Sequence, residues 1–201
     1  MSPIEAEKLD PRVKRTRQMI EDAFDALVLE KGFQGLSVQD LAERAGINRA
    51  TFYAHFPDKF ALLDHNIEIA FRKEVDSRML NACQFKMENL RTLVVVVCEF
   101  VDSSHNHCVM SEQQYKSLVE AQVRSQIYGL ISHWVETLPN LMDKPDVRAR
   151  AAIAASWALY GLAEEWSRNK RMPPLDEFAN QVLPILAANL GLAVENTEFS
   201  I

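Results

Sequence analysis

Apolar residues recur along this chain at helical spacing, and no run alternates with the two-residue period of a half-buried strand. Asp10 followed by Pro11 is an N-cap and first-position proline. Ile20, Ala23, Phe24, Leu27 and Val28 then form the stripe of an amphipathic helix, which Gly32 ends. Ser37 caps a second helix, with Asp40 at its third position and Val38, Leu41 and Ala42 on one face. Gly46 supplies the permissive backbone for a tight turn over residues 45 to 47. Asn48 caps a third helix whose Phe52 and Phe56 point inward at i, i+4, leaving Arg49, Ala50, Thr51 and Tyr53 outward. Phe24, Leu27, Phe33, Leu36, Leu41, Ile47, Phe52 and Phe56 are the expected core of this three-helix unit. Two short helices at this spacing, the second one polar outside, are a helix-turn-helix, a device for reading DNA.

Beyond residue 57 the pattern remains helical. One helix is predicted over residues 58 to 81, carrying Leu62, Leu63, Ile67, Ala70 and Phe71. Another, over 87 to 104, is apolar around most of its circumference through Leu93, Val94, Val95, Val96 and Val97, and so reads as buried. A third spans 111 to 138, with Ile127, Leu130, Ile131, Trp134, Val135 and Leu138 inward, and is broken by Pro139 and Asn140. Two more follow over 145 to 170 and 175 to 190, and Pro184 is expected to kink the last. The fold class is all-α: a three-helix helix-turn-helix DNA-binding head over residues 1–57, then a helical-bundle body over 58–201.

The segment NRATFYAHFPDKFALL resembles the recognition helix and following helix start of the tetracycline-repressor (TetR) family of bacterial transcription regulators. The resemblance covers residues 12 to 65, with Gly32, Phe33, Ser37, Leu41, Ala42, Gly46, Ala50, Tyr53, His55, Phe56, Lys59 and Leu62 in pattern. Phe60 departs from it, standing where an acidic residue is frequent. The resemblance implies a homodimer on double-stranded DNA with a pseudo-palindromic operator. It further implies a body that binds a small-molecule effector and opposes DNA binding when occupied, most commonly as a repressor. Tyr53 and His55 fall at positions that in such proteins contact backbone phosphates.

A net charge of −6 seems at odds with DNA binding until it is divided along the chain. Residues 1 to 60 carry nine Lys or Arg against ten Asp or Glu, whereas residues 61 to 201 carry thirteen against eighteen, so the acidity belongs mainly to the body. Arg12, Lys14, Arg15 and Arg17 form a block without an acid, suited to phosphate contact beside the helix-turn-helix. The candidate DNA-binding residues are Ser37, Asn48, Arg49, Ala50, Thr51, Tyr53, His55 and Lys59. Arg49 is assigned to base reading, since a guanidinium grips guanine N7 and O6 together, and Lys59 to phosphate.

In the body, Ala151, Ala154, Ala155, Ala158 and Leu162 line one helix face, and Phe178, Val182, Ile185 and Leu186 another. Small residues admit a close partner helix, so these are the candidate dimerisation residues, with monomer core as the alternative. His105, Tyr115, Gln122, Gln126, Tyr128, His133, Trp134, Trp157 and Tyr160 are candidate effector contacts, of a type that more often fills a core. The identity of the effector is not written in them. The run His105, Asn106, His107, Cys108 admits a metal- or redox-responsive alternative, although residues two apart on a helix point to different sides. Cys98 paired with Cys108 is the redox version, and a DNA-binding architectural protein without effector is a further alternative.

Three cysteines, Cys83, Cys98 and Cys108, lack paired metal-finger spacing and read as reduced thiols. No secretory pattern opens the chain, and the apolar run from Leu93 to Cys98 is far too short to span a bilayer, so a cytoplasmic protein without membrane contact is expected. With 48% hydrophobic and 25% charged residues, it has the composition of an ordinary soluble protein able to bury a sizeable core. It contains no glycine-rich phosphate loop, nucleophile elbow or H-E-x-x-H pair, so neither catalysis nor a cofactor is expected.

Overall fold

In a computed structural model, residues 10–79, 84–107, 113–137 and 145–192 are described. Among them every regular element is a helix. We number these α1 (Pro11–Gly35), α2 (Val38–Arg44), α3 (Arg49–His55), α4 (Lys59–Arg78), α5 (Met87–His107), α6 (Gln113–Thr137), α7 (Pro145–Arg168) and α8 (Leu175–Asn189). The chain divides into two compact units, Met1–Asn66 with His107–Ser117, and Ile67–Asn106 with Leu118–Ile201. The division falls inside α4 rather than after residue 57, and a later segment returns to the first unit. α4 carries Leu62 and Leu63, both almost fully buried, so the apolar interior continues past the start of that helix.

In the first unit, Asp10 Oδ1 accepts from the Arg12 amide at 2.8 Å, with Pro11 in the first turn, as a helix start requires. Gly32 breaks α1 at φ 72°, ψ 163°, and a last short helical piece carries on to Gly35. Ile20, Phe24, Leu27, Phe33, Leu36, Leu41, Phe52 and Phe56 are all buried. Ile47 is only half-buried. Phe24 meets Phe33 edge-on at 6.2 Å between ring centroids, a favourable aromatic arrangement.

In the second unit, α5 is buried through Leu90, Leu93, Val94, Val96, Val97, Cys98 and Val101. Its remaining polar strip is paired: Glu99 with Arg78 of α4, and Arg91 with Asp176 of α8 at 2.8 Å. α6 contributes Val123, Ile127, Ile131 and Trp134 to the interior, and the Trp134 ring stands edge-on to Phe85 at 5.9 Å. α7 packs on α8, with the Trp166 ring 6.1 Å from that of Phe178, and both helices carry small buried residues, Ala152, Ala155, Ala163, Ala179 and Ala187. α8 continues as one helical element across Pro184. Trp166 Nε1 donates to the Pro173 carbonyl at 2.8 Å, and Arg171 and Ser167 both donate to Asp102, so the α7–α8 connection is tied to α5. No helix among the described residues is long and apolar enough to cross a membrane.

Candidate nucleic-acid interface

The helix-turn-helix is held at each joint by local hydrogen bonds. Ser37 Oγ accepts from the Asp40 amide, and Asp40 Oδ2 accepts from the Ser37 amide at 2.9 Å, a reciprocal capping box. Asp40 Oδ1 also takes Lys31 Nζ at 2.5 Å. That ammonium first, and Ser37 second, hold the Asp40 carboxyl well below the usual carboxylate range. Arg44 grips Glu30 with both terminal nitrogens, at 2.9 and 2.7 Å, so α2 is pinned to α1 at both ends.

Gly46, at φ 66°, makes the turn, and the Ile47 amide donates back to the Ala42 carbonyl at 2.9 Å. This left-handed step is where glycine costs least. Asn48 Oδ1 then accepts from the Thr51 amide at 2.7 Å and from Thr51 Oγ1 at 3.0 Å, starting α3. Phe52 and Phe56 point inward, while Arg49, Ala50, Tyr53 and Ala54 are exposed. Arg49 lies over Tyr53, its guanidinium carbon 5.9 Å from the ring centroid and Nη2 3.4 Å from the phenol oxygen. The outward face of α3 therefore carries one guanidinium and one phenol side by side.

His55, half-buried, lies near Arg17, whose guanidinium sits 5.3 Å over the Phe56 ring. Burial, and then the Arg17 charge, push its imidazole pKa down from 6.5. His55 is thus neutral at pH 7 in the free protein. Because the folded value is the lower one, acidification through about 6.5 protonates the unfolded chain first and removes stability. We expect melting temperature to fall as pH drops from neutral towards the folded value, and His55→Gln to lose less over the same interval; identical pH dependence in both proteins would refute this.

Two sequence-assigned roles look different in three dimensions. The Ser37 and Thr51 hydroxyls, assigned to DNA from the sequence, are engaged in the two helix caps. Lys59 Nζ is turned inward, 2.9, 3.3 and 2.7 Å from the carbonyl oxygens of Phe33, Gln34 and Leu36. A side-chain contact that sequence reading missed joins α1 to α4: His65 Nε2 lies 3.0 Å from Glu21 Oε1, with the imidazole tilted against the Phe56 ring at 5.3 Å between centroids. The separation of 44 residues leaves no local signal for it.

The family model for bacterial regulatory proteins of the tetR family matches residues 20–65, the segment just described. Residues 20–65 are thus a tetR-family segment. Among relatives, the HTH-type transcriptional repressor DhaR of Mycobacterium sp. (strain GP1) is 24% identical over 186 residues, covering 85% of this chain and 91% of that protein. The uncharacterized HTH-type transcriptional regulator YxbF of Bacillus subtilis (strain 168) is 36% identical over 78 residues, 37% of this chain but only 20% of its own length. A crystal structure of a TetR-family regulator from Streptomyces coelicolor A3 superposes with a TM-score of 0.60 at 20% identity, covering 90% of this chain and 98% of the other, and so shares its fold.

Outside that segment the candidate effector residues scatter. Tyr115 belongs to the first unit, with its ring 5.6 Å from Phe33, and not to a body cavity. Trp134 and Tyr160 are core, 1% and 7% exposed, and burial raises the Tyr160 hydroxyl pKa. Trp157 is 54% exposed, with the Arg124 guanidinium stacked 3.5 Å from its ring centroid. Gln122 and Tyr128 are half-buried on α6. Gln126 and His133 line a groove of about 370 Å³ together with Gly129 and Leu130 of α6 and Phe71, Arg72, Val75 and Asp76 of α4. The spacing of apolar residues along α4 carries no signal for this contribution, which depends on α6 lying beside it. A second groove, of about 380 Å³ between α4 and α5, has its charge already matched, Arg78 being paired with Glu74 and Glu99.

The candidate dimerisation residues divide by burial. Ala151, Ala155, Phe178, Val182 and Leu186 are buried within the single chain, where α7 meets α8. Ala154 and Ile185 are exposed, and Ala158 and Leu162 half-buried, joined by exposed Ile153 and Trp157. Cys98 is 0% exposed, and burial pushes its thiol up to about 12, which removes the thiolate that a redox switch needs. Cys83 and Cys108, and the side chains of His105 and His107, lie outside the described residues.

Proposed function

We infer that this TetR-family regulator is a dimeric repressor that reads a pseudo-palindromic operator with two copies of α3 and leaves it when a small molecule binds the body. The observation that carries the reading is the face of α3. A seven-residue helix is anchored at its start by Asn48 and from within by Phe52, and it presents Arg49, Ala50 and Tyr53 outward. Arg49 supplies base recognition, with Thr51 and Asn48 beside it at the helix start. Tyr53, His55, Ser37 and the block Arg12, Lys14, Arg15 and Arg17 supply phosphate contacts. A single short helix reads only a few base pairs, so two-fold pairing is required for a site of useful length. Ala154, Ala158, Leu162 and Ile185, with Ile153 and Trp157, form the face for that pairing. The printed name of DhaR, a repressor over nearly the same length, supports repression.

The effector site assigned by this reading is the groove between α4 and α6. Its floor is apolar through Phe71, Val75 and Leu130, while Asp76 and His133 have no partner among the described residues. An amphipathic molecule with a cationic or hydrogen-bond-donating end suits that lining. Because α4 also begins the first unit's exit from the helix-turn-helix, a ligand that prefers one position of α4 is linked thermodynamically to DNA binding.

The test is selection of duplexes from a random pool at stated salt, by the parent and by Arg49→Ala. The parent should recover a pseudo-palindrome. The variant should lose about 1–3 kcal/mol of discrimination at one base pair in each half-site. Recovery of no motif by the parent, or an unchanged motif with the variant, would overturn the reading.

A further inference from the structure

The break at Gly32 leaves the end of α1 with carbonyl groups that no ordinary helical turn can satisfy. The carbonyls of Phe33, Gln34 and Leu36 converge on one point, and Lys59 Nζ occupies it. An ammonium has three N–H donors and no acceptor, so each of these carbonyls can take one of its protons. The site is also negative in character, being a helix carboxyl end, and the Phe33 ring lies beneath the ammonium, 4.7 Å from its centroid. Lys59 is half-buried there, at the first position of α4.

The geometry points to Lys59 as a positioning residue for the recognition helix, acting through backbone carbonyls and not by touching DNA phosphate. Leu36 immediately precedes the Ser37 cap of α2, and Lys59 opens α4, so one side chain fastens both ends of the segment that contains α2, the turn and α3. With that clasp closed, α3 is held from two sides. With it open, these carbonyls lose the ammonium, and the segment from Leu36 to Lys59 keeps its core packing, the contacts of Arg17 and His65 with Phe56, and the Asp40 and Arg44 ion pairs. The functional consequence rests on the DNA-reading role proposed above; the anchor itself does not.

Lys59→Met, which keeps the aliphatic stem, and Lys59→Arg separate the two roles. A planar guanidinium fork cannot converge on a single point among three carbonyls, yet it binds phosphate at least as well as an ammonium does. In the full-length protein, labelled with nitrogen-15, the Lys59 ammonium protons should be visible and slow to exchange, and should not shift when a mixed-sequence duplex is added. Backbone amides of α3 should exchange about tenfold or more faster in both variants, the scale expected from loss of charge-assisted hydrogen bonds, while amides of α7 stay unchanged. The salt slope of binding to the mixed-sequence duplex should be the same for parent and Lys59→Met. An ammonium signal that appears or moves only with DNA, or retention of parental behaviour by Lys59→Arg, would overturn the proposal. So would a slope reduced by about 0.9, the value for one lost phosphate contact. Faster exchange confined to residues 34–37, with α3 unaffected, would reduce Lys59 to a local cap and refute positioning. If the parent binds no duplex at all, the function proposed above fails, and the ammonium and amide measurements still judge the clasp.

Discussion

Phe52→Ala is expected to destabilise the helix-turn-helix by about 3–5 kcal/mol and to abolish DNA binding with it. Phe52 is 0% exposed, and its ring meets Phe56 at 6.0 Å and Tyr53 at 5.7 Å. α3 has only seven residues, too few to be stable as an isolated helix, so its position depends on this inward anchor and its Asn48 cap. Truncation removes most of the apolar contact on the buried face and leaves a cavity among Leu41, Phe56 and their neighbours, which backbone relaxation fills only in part. The measurement is denaturant unfolding of the variant followed by circular dichroism, alongside binding to the selected duplex. A loss below about 1 kcal/mol with binding retained would mean that something other than the core sets α3, since that is far under the cost of emptying a filled aromatic site.

On the dimer proposed above, Ile185→Arg should give monomer over a concentration range where the parent remains paired, with the dissociation constant raised by about 30- to 1000-fold. Ile185 is 54% exposed on α8, and Ile153 and Trp157 on α7 are 46% and 54% exposed. Three large apolar side chains left open on two adjacent helices are more than scattered surface residues require. An arginine at the centre of such a face would bury an unpaired charge in the pair but remain solvated in the monomer, so monomer stability should hardly change. Sedimentation across a dilution series reports the pairing, and thermal unfolding controls for the fold. Because each half-site then binds alone, affinity for the palindrome should fall steeply. An unchanged sedimentation profile would remove α7 and α8 from the interface.

How far the site is legible without coordinates depends on the range of the interactions concerned. Asp10, Ser37, Asn48 and Gly46 act within two to five residues of their own positions, and all four occupy the caps and turn that their spacing predicts. Lys59 was expected at phosphate because its place in the motif, read linearly, puts it at a helix start near DNA. Its four-methylene stem reaches either outward or back to α1, and the choice is made by carbonyls 23 to 26 residues away. His65 and Glu21 met for the same long-range reason.

The sequence by itself determined that the chain is helical, where most of its helices begin and end, and that a helix-turn-helix resembling that of the tetR family occupies its first part. These are encoded in caps, glycines and 3.6-residue periodicity, which are local properties of the chain. Tertiary structure alone decided which alanines of α7 serve α8 and which remain open, that Tyr115 packs with the first unit while Trp134 and Tyr160 are core, and that Asp76 and His133 line one groove. A stripe of small or aromatic residues satisfies any neighbouring helix equally well, so its partner is chosen only when elements distant in sequence compete to bury their apolar faces.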